Sequence, residues 1–227
     1  MKPIRIFIGY DPREAAAYSV LAHSINVRAS VPVSITPLML SQLHGVYRRE
    51  RNPLQSTDFS FSRFLTPQLC DFEGWALFMD CDMLMLDDVA RLWSLRDQRF
   101  AVQLVKHNHL PREEIKFLNA AQTRYDKKNW SSVILFNNAR CTALTAEYVN
   151  AASGLDLHQF KWLGDDGLIG EIPHRWNHLV DYDAPDPDVS NVHFTLGGPY
   201  FDEFRNCENA DAWRRERDAM LRVDQRA

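Results

Sequence analysis

The apolar run Ala76-Leu77-Phe78-Met79 ends in two carboxylates, Asp80-Cys81-Asp82. A run this apolar reads as a buried β-strand, which places the acids at the edge of a sheet. Side chains alternate across a strand, so Asp80 and Asp82 share one face and Cys81 points to the other. Two anions that close repel each other unless a cation sits between them. An all-oxygen pair suits a hard divalent ion such as Mn²⁺ or Mg²⁺. The plain alternative is a solvated turn begun by Asp82, with Asp80 as a strand-end cap. An Asp-x-Asp alone does not choose between the two.

The chain has 227 residues, 45% of them apolar, and a formal net charge of −4. That length and composition fit one globular domain with a substantial core. The charge gives no basis for nucleic-acid binding. The start, Met1 to Gly9, is too short and too charged for a signal peptide, and no apolar run reaches the roughly 20 residues of a bilayer span. Cys70, Cys81, Cys141 and Cys207 show no paired spacing. A reduced, cytoplasmic setting follows as the expectation.

Short apolar runs alternate with helical patterns. Strands are expected at Pro3 to Gly9, Val31 to Leu38, Ala76 to Asp82, Phe100 to Val105 and Ser132 to Phe136. Helices are expected from Asp11 to Asn26, with Asp11 as cap and Pro12 first, and over Phe61 to Cys70, Val89 to Ser94, Thr142 to Ala152 and Asn209 to Val223. The loop from Ser41 to Phe59 is long enough to be functional. Residues Leu155 to Pro199 mix short elements with Gly, Asp, Pro and His, as site-lining loops do. The alternation implies an α/β fold with a mixed, mostly parallel central sheet flanked by helices. Ligands in such sheets bind outside the carboxyl ends of strands, where Gly9-Tyr10-Asp11, Asp80-Cys81-Asp82 and Asn137-Asn138 are expected to converge.

Around those ends several side chains have the chemistry of a nucleotide site. Gly9 permits close backbone approach, and Tyr10 and Asp11 offer stacking and hydrogen bonds to a nucleoside. A plain strand-to-helix turn explains the same three residues. No phosphate-loop or Gly-x-Gly-x-x-Gly pattern is present, so a diphosphate would have to be held by metal and basic side chains. Arg63, in the apolar stretch Phe61 to Leu65, is such a side chain if buried. His193, ahead of the Gly197-Gly198-Pro199 turn, would complete a mixed N/O metal site with Asp80 and Asp82, which suits Mn²⁺. Asp165 and Asp166 follow Gly164 among aromatics, as helix caps or as sugar-hydroxyl partners. The charged tail favours a helix packed through Trp213 and Met220 over contact with a membrane surface.

These motifs together resemble the family 8 glycosyltransferases, the glycogenin-like and bacterial galactosyltransferase-like enzymes. The family's strand ending in Asp-x-Asp is matched by Phe78 to Asp82, and its Arg-bearing helix by Ser62 to Pro67. Its acceptor-side strand is similar to Asn129 to Asn137. Its Asp-Gln-Asp falls on Gly164-Asp165-Asp166, its Pro-x-x-Trp-Asn on Pro173 to Asn177, and its closing His-Phe element on His193 to Tyr200. The chain departs from the family in lacking the closing Lys that contacts the donor diphosphate, since Gly198 stands there.

The resemblance implies a single nucleotide-diphospho-sugar transferase (GT-A-like) domain. Residues 1–105 would form the nucleotide half, 106–208 the acceptor-side half and 209–227 a terminal helix. It implies retaining transfer of a hexose from a UDP-sugar to a sugar or glycan acceptor, with Mn²⁺ or Mg²⁺ on Asp80, Asp82 and His193. Gly9, Tyr10, Asp11, Arg63, Cys81, Gly197 and Gly198 would contact the donor, and Asp165 and Asp166 the transferred sugar. Two other readings stay open. A sugar-nucleotide-binding module without catalysis is consistent with the missing Lys. A haloacid dehalogenase-type phosphohydrolase also uses Asp-x-Asp, but normally on its first strand.

Overall fold

The computed structural model describes residues 2–51, 55–108 and 126–222. Six strands form the main sheet in the order β2-β1-β3-β6-β5-β7. These are β1 (Ile4–Gly9), β2 (Val33–Leu38), β3 (Trp75–Met79), β5 (Val102–Leu104), β6 (Val133–Asn137) and β7 (Ile169–Glu171). β3 and β6 are buried at every position and lie at the centre. β2 alternates half-buried and exposed positions and carries Pro37, which an edge strand tolerates because one side needs no amide donor. Three short strands form a second sheet, β4 (Met83–Met85), β9 (Asn191–His193) and β8 (His178–Leu179), in the order β4-β9-β8.

β1 runs parallel to β2 and β3, and β5 runs parallel to β7, while β6 is antiparallel to both β3 and β5. The sheet is therefore mixed and mostly parallel, as expected. The reversal of β6 corrects one expectation. Asn137 pairs with Trp75 at the amino end of β3, so Asn137-Asn138 sits at the opposite end from Asp80. Both Asn side chains are tied down there, to Phe100 O and Glu73 O. The amino end of β6 takes their place, with the Asp80 amide donating to Ser132 O at 2.9 Å.

The helices follow local signals with some differences. Asp11 caps a 3-10 turn, Pro12–Glu14, before α1 (Ala15–Arg28) begins. Asp88 caps α2 (Val89–Ser94) by accepting from the Ala90 amide. Thr145 caps α3 (Ala146–Ala151), shorter than expected, and Ser153 caps α4 (Gly154–His158). The helix expected over Phe61 to Cys70 is instead two 3-10 turns, Ser62–Leu65 and Gln68–Cys70. Pro67 has no amide hydrogen to continue an α-helical ladder, and the Thr66 hydroxyl bonds back to Arg63 O at 2.9 Å. α5 (Ala210–Leu221) matches the expected tail helix, whose last expected residue, Val223, lies outside the described residues. No helix among the described residues is long and apolar enough to cross a membrane.

The main core fills both faces of the six-stranded sheet. A smaller cluster joins Val20 of α1, Leu84 of β4, Val192 and Phe194, and Trp213 of α5, with Met220 packed against it. The α1–α5 contact is closed by Glu216, whose oxygens meet His23 Nδ1 and Arg28 Nη2, each at 2.6 Å. Burial alone would lift the Glu216 pKa, but the bonds from Arg28 and His23 outweigh it and hold the carboxyl below its ordinary value. A depressed carboxylate stabilises the fold above its unfolded-state pKa, and that contribution is lost as pH falls through the folded-state value. Glu216→Gln is accordingly expected to lose about 1–3 kcal/mol at pH ~7, the scale of hydrogen bonds to a charged group. The gap from wild type should close below the ordinary carboxylate range near pH ~4. Urea titrations of both proteins on the two sides of that range check this, and equal midpoints at neutral pH would refute it.

Candidate functional site

Asp80 and Asp82 follow the last residue of β3, and β4 starts directly after them. β4 pairs with β9 so that Met83 lies opposite His193, and the Phe194 amide donates to Asp82 O at 2.8 Å. This pairing sets the His193 imidazole against the two carboxylates. His193 Nε2 lies 3.4 Å from Asp82 Oδ1. One ligand atom from each of Asp80, Asp82 and His193 falls within a 4.8 Å cluster, and all three side chains are buried or nearly so.

The imidazole is held in one orientation. His193 Nδ1 lies 2.9 Å from Asn177 Oδ1, while Asn177 Nδ2 donates to Ser132 Oγ at 2.9 Å. The second bond fixes the Asn177 amide, so Nδ1 faces its oxygen as donor and Nε2 is turned toward Asp82. The donor set of two carboxylates and one oriented imidazole fits Mn²⁺, and Mg²⁺ less well.

Arg63 is buried, as its apolar surroundings require, and its Nη1 lies 2.7 Å from Asp80 Oδ1. The guanidinium also donates to Ser131 O at 2.8 Å and Ser60 O at 3.2 Å. It lies over the rings of Phe59 and Phe78, 5.3 and 5.1 Å from their centroids. Gly9 belongs to this packing. A Cβ there would stand 2.3 Å from the Phe59 ring, so glycine lets that ring lie flat against the end of β1. His158, whose Nδ1 meets Ser131 Oγ at 2.8 Å, closes the far side. Burial first, and then the Arg63 charge, push its pKa well down.

The other residues singled out from sequence are placed as follows. Asp11 is buried, but its carboxylate holds Arg13 and the Asp58 amide. Tyr10 packs edge-on against Tyr18 at 5.4 Å. The Cys81 thiol turns away from the triad toward Glu14 Oε2, 3.9 Å off. Gly197 has φ +141°, and a Cβ on Gly198 would lie 2.4 Å from Tyr200 Cε1. A lysine in place of Gly198 would collide with Tyr200 as it stands. Asp165 accepts from the Gly167 amide and Asp166 pairs with Lys127 at 2.6 Å. Both are exposed at the amino end of β7, and these contacts do not link them to the triad.

Two residues behind the triad were not singled out from sequence. Glu14 is fully buried, accepting from the Tyr200 hydroxyl at 3.0 Å. Burial, followed by the charge of Asp82, pushes its pKa well above the carboxylate range. A glutamate in the first turn after Pro12 looks like an ordinary helix-start charge, so nothing local marks it. Asn177 had a signal, the Pro-x-x-Trp-Asn match, but not its role as the partner of His193.

No family model matches the chain. Among solved structures, the bifunctional glycosyltransferase WbbM aligns with TM-score 0.66 at 14% identity, over 95% of this chain and 49% of that one. The chain thus spans about half of WbbM. The galactosyltransferase LgtC, solved with donor and acceptor sugar analogs, aligns with TM-score 0.58 at 14% identity over 98% of both chains. The apo-form glycosyltransferase GlyE of Streptococcus pneumoniae TIGR4 aligns with TM-score 0.62 at 13% identity, over 98% of this chain and 61% of GlyE. The fold is therefore the GT-A-like glycosyltransferase fold. In sequence the chain is 48% identical over 224 residues to Protein CDI of Arabidopsis thaliana, covering 95% of this chain and 86% of that protein. With that identity over nearly its whole length, the chain belongs to the family of Protein CDI.

Proposed function

We propose that the protein is a metal-dependent glycosyltransferase that moves a hexose from a UDP-sugar to an acceptor hydroxyl with retention. The observation that carries this reading is the convergence of Asp80, Asp82 and an oriented His193 beside a buried Arg63, at strand ends of a glycosyltransferase fold. Asp80, Asp82 and His193 would hold the ion. When bound, Mn²⁺ or Mg²⁺ supplies Lewis-acid neutralisation of charge on the departing diphosphate. Arg63 holds Asp80 by a buried ion pair at 2.7 Å, so that carboxylate is oriented before a donor arrives. Asn177 does the same for His193.

The closing element differs from the family's in a way that bears on the donor. Gly198 leaves room for Tyr200, whose hydroxyl is committed to Glu14. Positive charge for the diphosphate then rests on the metal, with Arg63 behind Asp80. On this reading Asp11 shapes the turn that presents Tyr10 to uridine. Asp165 and Asp166 would reach the transferred sugar from the segment that Lys127 anchors. The acceptor is a sugar or glycan hydroxyl, in keeping with the acceptor sugar analog bound by LgtC.

The direct test is UDP release from a panel of UDP-sugars with and without Mn²⁺, beside a generic phosphatase substrate. Mn²⁺-dependent release that disappears in Asp82→Ala and is only reduced in Asp166→Ala is the expected result. Phosphatase turnover would overturn the proposal, and tight UDP binding without turnover would favour a sugar-nucleotide-binding module. A second measurement concerns Asn177. Replacing a ligand-orienting partner typically costs about 10–100-fold in metal affinity. Asn177→Ala is expected to raise the Mn²⁺ concentration for half-maximal release by that factor, with the rate at saturating Mn²⁺ largely kept. An unchanged Mn²⁺ dependence would remove Asn177 from the site.

A further inference from the structure

A second group of metal-ligand side chains lies at the carboxyl end of the sheet, apart from Asp80, Asp82 and His193. β5 and β7 are parallel neighbours in the register Val102↔Ile169, Gln103↔Gly170, Leu104↔Glu171. His107 follows Leu104 by the same number of residues as His174 follows Glu171. The equal offset from a shared register brings the two imidazoles together, edge to face, with centroids 5.1 Å apart. A third segment, the turn after β8, supplies Asp183. Its Oδ2 accepts from the Leu179 amide at 2.6 Å, its own amide donates to Leu179 O at 2.9 Å, and Oδ2 lies 3.4 Å from His174 Nε2.

We propose that His107, His174 and Asp183 form a second divalent-cation site, of the kind that takes Zn²⁺. One ligand atom from each falls within a 4.8 Å cluster. Bonds of about 2.0–2.1 Å in a tetrahedral zinc site put neighbouring ligand atoms roughly 3.4 Å apart. The His174–Asp183 separation already has that size, and closing His107 onto them takes a ring movement on the order of 1 Å. Two nitrogens and one oxygen form a borderline-soft donor set, which favours Zn²⁺ and Co²⁺ over Mg²⁺. It differs in kind from the two-carboxylate set on β3.

The burial gradient supports the same assignment. His107 is 7% exposed, Asp183 intermediate and His174 open to solvent, so an ion has a buried inner ligand and an entry side. Three protein ligands leave a fourth position for water or another group. A surface ion pair between His174 and Asp183 would need no second imidazole, yet the strand register delivers one. The site also borders the first. His174 opens the 3-10 turn His174–Trp176, and the next residue, Asn177, orients His193. A cation on His174 would brace that turn. The assignment does not rest on the transferase reading, because it uses none of that site's ligands.

The test removes the first site and probes with metal alone. Full-length Asp82→Ala protein is titrated with Co²⁺ at neutral pH, followed by visible d–d absorption and then by displacement with Zn²⁺. One equivalent of Co²⁺ with d–d bands that Zn²⁺ bleaches is expected. His174→Gln and Asp183→Asn, each made in that background at accessible positions, are expected to abolish the bands. The rise in melting temperature on adding Zn²⁺ should vanish with them, while far-UV circular dichroism stays unchanged. Failure of the Asp82→Ala protein to bind an equivalent of Co²⁺ would overturn the proposal. Bands that persist in both substituted proteins would do so as well.

Discussion

The buried ion pair between Arg63 and Asp80 is the interaction on which the site depends. A guanidinium withdrawn from water is costly unless it is paired and hydrogen-bonded, and Arg63 pairs with Asp80 and donates to Ser131 O and Ser60 O. Its flat faces lie over Phe59 and Phe78, and Phe59 can lie where it does because β1 ends in a residue without a side chain. One cation therefore ties together the ends of β1, β3 and β6. Breaking such a pair leaves an uncompensated buried charge at a cost of about 3–5 kcal/mol, whereas a pair of apolar residues could stabilise the fold as well. What the ion pair adds is orientation, since Asp80 is aimed before anything binds.

Behind this pair, the region around Asp82 concentrates acid. Asp80, Asp82 and Glu14 come from two strand ends, and three carboxylates in a low-dielectric pocket cannot all ionise cheaply. The fold separates their roles. Glu14 is walled in by Cys81 and Tyr200, and burial together with the neighbouring charge favours its neutral form. Asp80 has its guanidinium, and Asp82 faces the Nε2 of His193. The hydroxyl of Tyr200 completes this arrangement, and its ring fills the space over Gly198. A larger side chain at position 198 and the Tyr200–Glu14 bond would thus compete for one volume.

Much of this was legible in the sequence, and what was not has identifiable causes. The runs at β1, β3 and β6 were readable because unbroken apolar stretches of that length have few other fates. The strand-end placement of Asp80-Cys81-Asp82 followed from the same logic, whereas the sequence left the burial of Arg63 open and the structure decides it. The direction of β6 was not readable, because parallel and antiparallel central strands have the same composition. Asn137-Asn138 therefore looked like part of the site when it is at the other end. β4, β8 and β9 have two or three residues each and show no periodicity. His107 and His174 could be seen as related only once the β5–β7 register was known.

The small second sheet has a consequence for how the protein matures. Asp82 and His193 meet because β4 and β9 pair across about half of the chain, a contact of long sequence separation that must be closed against the entropy of the intervening loop. The elements that bury Arg63 against Asp80, including Ser131 ahead of β6, all precede residue 193 in the chain. Until β9 pairs with β4, the carboxylates lack the His193 imidazole. The proposed cation site would therefore be complete only once this long-range pairing has closed.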